Sequence, residues 1–411
     1  MCAAERSPVI RLDPADNIVV ARRPVPAGTW IPSEGITAQS DIPLGHKIST
    51  RAIRKGEPVL KYNTVIGYAS RDVEAGTHMH NDTIHFDAVA QDAPFCVDYR
   101  PVELVPPAQR RTFLGYVRKD GQVGTRNCIA VIVCSNCAAT VARKIADHFT
   151  ETVLRNYPNV DAVVPLITSS GCGLEKTGTP MIYLRRILAG HIRNPNMAGA
   201  LVCALGCESN NIDAFFEETG LTPGPMLRRL VIQEAGGAHR AVKVGITQVE
   251  AMLPAANQCR RQPVPISHLT VGLECGGSDS FSGSSANPAL GKAMDLLVRQ
   301  GGTAVLTEPT ELLGMEGALA RRARTPQVAQ QLMDTMQWWL DYCKGSDAQI
   351  YGKVTPGNNA GAVIDGERDL DEMALEIFEA LIAVASGRPT KSEQFGMGGD
   401  EFIVWWLGIT A

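Results

Sequence analysis

The chain has 411 residues, of which 45% are hydrophobic and 20% are charged, proportions that are ordinary for a soluble globular protein with a large buried core. Its 39 Lys and Arg residues against 43 Asp and Glu residues give a net charge of −4, which argues against non-specific binding of nucleic acid. Eleven cysteines without a regular pairing framework, no export signal and no apolar stretch long enough to cross a bilayer together predict a cytoplasmic protein without membrane contact.

The first part of the chain, residues 8–88, is predicted to be a small all-β domain. Its short apolar runs are interrupted by Gly and Pro and show no helical period. It ends near His78-Met-His80. Two histidines at this spacing lie on one face of a strand, where a metal ion can bind both, although a hydrogen-bonded structural pair is the commoner arrangement. Residues 89–112 are rich in Pro and are predicted to be a linker.

Strands and helices alternate in residues 113–310, which predicts a doubly wound α/β core with a largely parallel sheet. The predicted strands cover residues 128–134, 160–167, 198–206, 242–246, 268–274 and 303–306, and the predicted helices cover residues 137–149, 180–191, part of 225–234, and 288–300. Ser135 and Asn136 are expected to cap the first helix. Residues 311–411 are predicted to be a helix-rich part of the core, with helices at 328–342 and 369–386. Dinucleotide, P-loop and serine-hydrolase motifs do not follow these strands.

Three of the predicted strands end in a turn that carries a cysteine beside glycine: Cys172, Cys207 and Cys275. If these strands are parallel neighbours, the three thiols converge on one crevice together with Glu208 and Asp279. A free cysteine is also commonly a small buried apolar residue, and that explanation stays open for each of the three.

The third of these turns, residues 273–291, presents Ser278 and Asp279 just before a predicted helix. A helix start at the carboxyl end of a strand offers free N–H groups to an anion, so the turn suits a small acidic or phosphorylated ligand. An ordinary strand-to-helix turn that is rich in Gly and Ser for backbone reasons is the alternative. Cys134 and Cys137 have the spacing of a redox pair, but one such pair is weak support for that function.

Several motifs, in this order along nearly the whole chain, resemble the altronate/galactarate dehydratase family. The motifs are Gly115-Tyr-Val-Arg-Lys-Asp-Gly121, Gly124-Thr-Arg-Asn127, Ser170-Gly-Cys-Gly173, Gly206-Cys-Glu208, Glu274-Cys-Gly-Gly-Ser-Asp279, Ser285-Ala-Asn-Pro-Ala-Leu-Gly291 and Lys391-Ser-Glu393. The N-terminal part, with Gly45-His-Lys47 and His78-Met-His-Asn81, is similar to the SAF-type β domain of that family. The resemblance implies a metal-dependent hydro-lyase that converts a hexonate or aldarate into a 2-keto-3-deoxy acid.

The resemblance also implies a divalent metal, Fe²⁺ or Mn²⁺, that stabilises charge on the substrate. We expect the metal ligands to be His78, His80, Cys207 and Cys275. The expected catalytic residues are Glu208 as general base or ligand, Lys47 with His46 at the anionic end of the substrate, Ser278 and Asp279 at its hydroxyls, and Cys172 at the floor of the site. Arg126 adds positive charge or forms a structural ion pair. A homodimer is expected.

Two other hypotheses remain. Three converging cysteines are also what a [4Fe–4S] cluster with one open iron would need, which keeps the reaction but changes the cofactor. Alternatively, the β domain is a carbohydrate- or partner-binding module on an inactive α/β scaffold.

The sequence departs from the family pattern at two places. Thr168 stands where members of the family commonly carry His, which bears on the choice of substrate. Asn358 and Asn359 join two motifs that are separated in the family by on the order of a hundred residues, the size of a small domain. We expect a segment to be omitted from the sequence at this junction.

Overall fold

A computed structural model describes residues 7–61, 63–85, 94–273, 286–307, 316–344 and 370–387. The chain divides into two units. The first contains the described residues of Met1–Glu103, Leu273–Asp295 and Leu306–Ile377, and the second those of Leu104–Gly272, Leu296–Val305 and Phe378–Ala411. Within the described ranges, no helix combines the length and the apolar character needed to span a bilayer.

The N-terminal part of the first unit is built from short antiparallel strands. They are β1 (Val9–Ile10), β2 (Ile18–Ala21), β3 (Trp30–Ile31), β4 (Ile36–Thr37), β5 (Lys47–Ser49), β6 (Pro58–Lys61), β7 (Thr64–Ala69), β8 (His78–Met79) and β9 (Ile84–His85). They form a sheet of order β1-β2-β5-β8, a sheet of order β6-β7-β9 and the pair β3-β4. The predicted strand-rich N-terminal part is therefore confirmed.

Strand β2 is buried on both faces. Ile18 and Val20 pack into one apolar cluster, while Val19 and Ala21 pack into another, as the two-residue period of a strand requires. Burial of one aliphatic side chain of this size contributes roughly 1.5–3 kcal/mol. The paired strand β5 is thus held between two small cores, and β8 pairs with β5 in turn.

Gly76 fixes the path by which the chain enters β8. Its φ is +83°, and a Cβ atom at this position would lie 1.9 Å from the carbonyl oxygen of Thr37. The Gly76 N–H donates a 2.8 Å hydrogen bond to the Ser49 carbonyl, and its own carbonyl accepts one of 3.0 Å from the Gln39 N–H. Only glycine satisfies both the positive φ and the close approach.

The other described strands are β10 (Thr112–Val117), β11 (Val123–Gly124), β12 (Cys128–Val133), β13 (Ala162–Leu166), β14 (Met197–Ala204), β15 (Leu227–Val231), β16 (Arg261–Pro265), β17 (Thr270–Leu273) and β18 (Thr303–Leu306). The helices are α1 (Ala139–Ala146), α2 (Glu151–Leu154), α3 (Thr179–Arg193), α4 (Ile212–Thr219), α5 (Ala238–Glu250), α6 (Leu253–Asn257), α7 (Asn287–Arg299), α8 (Glu316–Arg322), α9 (Pro326–Tyr342) and α10 (Leu370–Ala385). Helices α9 and α10 correspond to those predicted at 328–342 and 369–386.

A parallel sheet of order β13-β12-β14-β15 forms the centre of the second unit. In β12, Ile129 and Val131 pack into a cluster with α1 and α5, whereas Ala130 and Ile132 pack into a cluster with α3 and α4. Helices therefore cover both faces, which explains why this strand is apolar throughout. The predicted parallel sheet in a mixed α/β protein is confirmed. The carboxyl ends of β12, β13 and β14 lie at one edge.

Two element predictions in the second unit are wrong. Residues 242–246 were predicted as a strand because apolar residues alternate there, but they lie in α5, whose buried residues Ala241, Gly245 and Val249 recur every four positions. Part of 225–234 was predicted as a helix, but it contains β15, which pairs in parallel with β14. In both cases the apolar residues fit the two-residue period of a strand as well as the 3.6-residue period of a helix, and tertiary contacts determine which element forms.

The predicted strands at 268–274 and 303–306 do not join the four-stranded parallel sheet. They are β17 and β18, which pair with each other. Strands β11, β10 and β16 form a further antiparallel sheet. The expectation of one largely parallel core sheet is therefore too simple for the described part of the second unit.

The predicted capping role of Ser135 is also wrong. A 3-10 turn, Asn136–Ala138, precedes α1, and the Ser135 side chain makes no capping hydrogen bond. Its hydroxyl is buried without a protein partner.

Candidate active site

Three imidazoles come together on the β domain of the first unit. Lys47 of β5 pairs with Met79 of β8, so one step further along this antiparallel register His46 lies opposite His80. The rings of His46 and His80 are stacked, with centroids 5.6 Å apart and an interplanar angle of 8°. Nδ1 of His46 lies 2.8 Å from Nε2 of His78. One of these two nitrogens therefore donates a hydrogen bond to the other.

The surroundings of this cluster favour the neutral form of two of its imidazoles, those of His46 and His78. Burial, reinforced by His78, His80 and Lys47, lowers the pKa of His46 to about 4. Burial also lowers the pKa of His78, and His80 and Lys47 add to the effect. A neutral imidazole can accept a proton or ligate a metal, whereas an imidazolium can do neither.

Lys47 is nearly inaccessible to solvent, with 6% of its surface exposed. Burial, with the charge of Lys61 as a second cause, lowers the pKa of Lys47 to about 7. By strand alternation its side chain leaves β5 on the face opposite to that of Ile48 and His78. The expected role of Lys47 at the anionic end of the substrate stays a prediction.

The imidazoles have the chemistry of metal ligands, because nitrogen donors in the neutral form suit Fe²⁺, Mn²⁺ and similar ions. However, no set of three His, Cys, Asp or Glu side chains in the described ranges is arranged around a common point where an ion could bind. The hydrogen bond between His46 and His78 would have to open for either nitrogen to face an ion. His78 and His80 therefore stay predicted metal ligands, as do Cys207 and Cys275.

The edge of the parallel sheet in the second unit is tied together by backbone hydrogen bonds. The Asn136 N–H, after β12, donates to the Ser170 carbonyl, after β13, at 2.9 Å. The Ser209 N–H, after β14, donates to the Cys172 carbonyl at 3.1 Å. Three strand ends that are distant in sequence therefore form one surface, as expected for the carboxyl edge of a parallel sheet.

This surface brings together Cys172 and Cys207 with a third cysteine, Cys137, and all three are exposed free thiols. The pKa of the Cys172 thiol is raised, first by its hydrogen bond to Cys137 and the charge of that residue, and further by Cys207 and Glu208. Cys137 was considered in the sequence only as a partner of Cys134, which is buried. The signal that was missed is the position of Cys137 directly after a strand end.

Glu208 is buried and is held by its own loop. Its two carboxylate oxygens accept hydrogen bonds from the N–H groups of Leu205 and Gly206, at 2.8 Å and 2.6 Å. These two bonds fix the turn after β14. Glu208 thus stabilises the conformation of its own loop. Its role as general base or metal ligand stays a prediction.

Asn210 and Arg185 are two residues at this edge that sequence reasoning missed. The Arg185 Nε donates to the Asn210 side-chain oxygen at 3.0 Å, and both side chains are buried. The Arg185 guanidinium also forms an ion pair with Glu218. A buried arginine in a helix is visible in a sequence only as a charge on an otherwise apolar face, and α3 gives no clear signal of this kind.

Two further candidate positions have local structural partners. Nη1 of Arg126 donates to the carbonyl groups of Thr125 and Val384, each at 2.9 Å. Thr168 Oγ1 accepts a 3.2 Å hydrogen bond from the Ser170 N–H and so closes its own turn. The predicted residues Cys275, Ser278 and Asp279, and the motif around Lys391, lie outside the described residues.

A cavity of about 420 Å³ also lies in the second unit. It is lined by residues 120–123, Thr125, Pro195 and residues 267–270. These include no candidate site residue, so the cavity adds nothing to the site described above.

Three family profiles match successive parts of the chain. Residues 7–87 match the altronate/galactarate dehydratase SAF domain, and residues 115–257 match the second domain of D-galactarate dehydratase/altronate hydrolase. Residues 266–362 and 359–410 match the D-galactarate/altronate dehydratase C-terminal region as two separate segments. These segments meet next to Asn358 and Asn359, where the sequence predicts an omission, which stays a prediction.

Curated relatives point to the same enzymes. The chain is 32% identical over 358 residues to altronate dehydratase of Bacillus subtilis, which covers 86% of this chain and 70% of the relative. Altronate dehydratase of Escherichia coli gives the same identity and coverage. Galactarate dehydratase (L-threo-forming) of Escherichia coli is 31% identical over 393 residues, with 93% of this chain and 75% of the relative covered.

Proposed function

Because the chain belongs to the D-galactarate/altronate dehydratase family, we propose that it is a hydro-lyase that removes water from a hexonate or aldarate to give a 2-keto-3-deoxy acid. The observation that carries the proposal beyond the family is the hydrogen-bonded pair of His46 and His78 in the first unit, whose pKa values are both lowered from the ordinary 6.5. Groups that are neutral and basic near pH 7 are what removal of a proton next to a carboxylate requires.

Dehydration of a 2,3-dihydroxy acid needs a base at C2 and an acid at the 3-hydroxyl. We assign the base to His46, because its imidazole is neutral at pH 7 and can accept a proton. The proton passes from C2 to this imidazole, the electron pair forms the enediolate, and the imidazolium then gives the proton to the 3-hydroxyl, which departs as water. The enol that remains takes up a proton at C3 and becomes the 2-keto acid.

A divalent cation, Fe²⁺ or Mn²⁺, would be held by His78 and His80 and would supply positive charge to the substrate carboxylate. Cys207 and Cys275 remain the other proposed ligands. Ser278 and Asp279 are proposed to bind the substrate hydroxyls, and Cys172 with Glu208 to form part of the site's wall at the strand ends.

We further propose that the enzyme works in the cytoplasm as a homodimer. All the described cysteines are free, which agrees with a reducing compartment.

The experiment is an anaerobic assay of the full chain with a panel of hexonates and aldarates, with Fe²⁺, Mn²⁺ or a chelator. The expected result is metal-stimulated formation of a 2-keto-3-deoxy acid from at least one member of the panel. Lys55→Met, which changes an exposed lysine in the same unit, serves as the control for Lys47→Met. Absence of product with every acid and metal would favour the binding-module hypothesis. Stoichiometric iron accompanied by acid-labile sulfide in active enzyme would replace the mononuclear ion by an iron–sulfur cluster.

A further inference from the structure

The exposed thiols of Cys137 and Cys172 form a pair to which the dehydration steps above assign no proton transfer and no bond, although Cys172 is proposed to line the site. We propose that they are a reversible oxidation site, at which a peroxide converts the two thiols into an intramolecular disulfide. The site lies wholly in the second unit and does not depend on the proposed activity.

The proximity of the two cysteines is the first argument. Cys137 is the first cause of the raised pKa of the Cys172 thiol, ahead of burial and of Cys207. A disulfide requires the two Cα atoms to lie within about 4.4–6.8 Å of each other. The backbone already holds the two segments together, because the Asn136 N–H donates to the Ser170 carbonyl at 2.9 Å. Closing the bond therefore needs no rearrangement of strands.

Accessibility is the second argument. Cys137 and Cys172 are both exposed, whereas the neighbouring Cys134 and Cys203 are fully buried. Burial raises the pKa of Cys134 to about 12, so that thiol stays protonated and unreactive. A small oxidant in solvent reaches the exposed pair first.

The position of Cys137 is the third argument. It lies in the 3-10 turn Asn136–Ala138 that leads into α1. This turn leaves the Cys137 side chain at the surface, where a peroxide can reach it. Cys137 is therefore assigned as the attacking sulfur, and Cys172, whose thiol pKa is raised, as the thiol that resolves the intermediate.

The reaction balances with hydrogen peroxide as the two-electron oxidant. The Cys137 thiolate attacks one peroxide oxygen, the O–O bond breaks, and a sulfenic acid forms with release of one water. The Cys172 sulfur then attacks the sulfenic sulfur, the S–O bond breaks, and a second water leaves with the Cys172 proton. Two thiols and one peroxide thus give one disulfide and two waters.

Cys207 provides a matched control, because it is exposed at the same edge and lies within electrostatic range of Cys172 without being its hydrogen-bond partner. The full chain is reduced, freed of reductant and treated with one equivalent of hydrogen peroxide. The expected product has lost two hydrogen atoms by intact mass. After trypsin digestion without reduction it contains a cross-link between the peptides that carry Cys137 and Cys172, and dithiothreitol reverses it.

The variants decide the assignment. Cys137→Ser and Cys172→Ser should each abolish the cross-link, and Cys207→Ser should retain it, with circular dichroism confirming that all three fold. A cross-link to the Cys207 peptide, over-oxidation of either thiol without a disulfide, or no reaction of the folded protein would overturn the proposal. Iron with acid-labile sulfide bound to these thiols in purified protein would overturn it as well.

Discussion

The side-chain amide of Asn210 donates a 2.9 Å hydrogen bond to the Cys134 carbonyl at the end of β12. The Asn210 N–H donates in addition to the Gly171 carbonyl, after β13, at 3.0 Å. One buried residue of the loop after β14 thus links three strand ends. Because the candidate thiols and Glu208 lie on these loops, Asn210 organises the edge without carrying reactive chemistry.

Replacement of Asn210 by alanine should lower the free energy of unfolding by about 1–3 kcal/mol, since it leaves a buried carbonyl and part of the Arg185 guanidinium without a partner. Urea unfolding of the full chain measures the effect. Asn136→Ala is the control, because the exposed Asn136 contributes its backbone N–H to this edge. Equal stability of the two variants would contradict the structural role of Asn210.

Glu208→Gln separates a structural role from a catalytic one. The amide nitrogen of glutamine would face a backbone N–H where a carboxylate oxygen now accepts, so a loss of roughly 1–3 kcal/mol in the free energy of unfolding is expected. The exposed Glu234, changed to Gln, should alter stability by less than about 0.5 kcal/mol. A Glu208→Gln protein with unchanged stability and no dehydratase activity would instead identify Glu208 as the base.

Lys47→Met should stabilise the protein while it lowers activity. The pKa of Lys47 falls from its ordinary 10.5 to about 7 in the folded chain, so the unfolded chain binds more protons between these values. Stability is therefore lost as the pH falls from about 10 to about 7, and the cost at pH 7 is up to about 4 kcal/mol. Methionine removes this cost and fills the same space.

Urea unfolding from pH 7 to pH 10 tests the prediction: wild type should gain stability across this range more steeply than Lys47→Met. We expect kcat/KM to fall by about 10–10²-fold, because Lys47 is proposed to hold the anionic end of the substrate and a hydrogen bond to a charged group contributes about 1.5–3 kcal/mol. Lys55→Met should match wild type in both measurements. A Lys47→Met protein that keeps kcat/KM and loses stability would show that Lys47 is neither a substrate-binding group nor a strained buried charge.

The His46 imidazole should resist protonation well below pH 6.5. Because the pKa of His46 is about 4 in the folded chain and the ordinary value is 6.5, the unfolded chain binds more protons between these two values. Stability therefore decreases as the pH falls from 6.5 towards 4. In NMR titrations of histidine-labelled protein, the His46 signal should move only below pH 5, and His78→Asn should raise its pKa. A His46 signal that titrates near 6.5 would contradict the cluster.

The sequence alone predicts those parts of the structure that depend on local periodicity. The apolar residues throughout β12 predict a buried parallel strand. The short β runs before His78 predict a strand-rich N-terminal part. Hydrophobic periodicity predicts the wrong element where small residues fit both a helix and a strand. In α5, Ala241 and Gly245 form the buried face, and the alternating apolar residues between them resemble a strand.

The sequence predicts which types of reactive residue the site contains, but it predicts less well which of these residues contact each other. His78 lies in β8 and His80 follows directly after that strand, but the contact with His46 depends on the register of β5 against β8, which a single sequence does not contain. The spacing of Cys134 and Cys137 suggests that they form a pair, whereas the neighbour of Cys137 in the structure is Cys172, which lies on the loop after the adjacent strand. Asn210 was missed because a buried amide looks like any other loop residue.

Because Gly76 closely approaches Thr37, position 76 affects the arrangement of the imidazole cluster, although it contributes no atom to it. Any side chain there would push the backbone away two residues before His78, and the stacked rings would separate although all three histidines were still present. A saturation library at this position should therefore return glycine alone as a folded, active protein. The imidazole cluster of the β domain therefore tolerates substitution only where the backbone at Gly76 keeps its position.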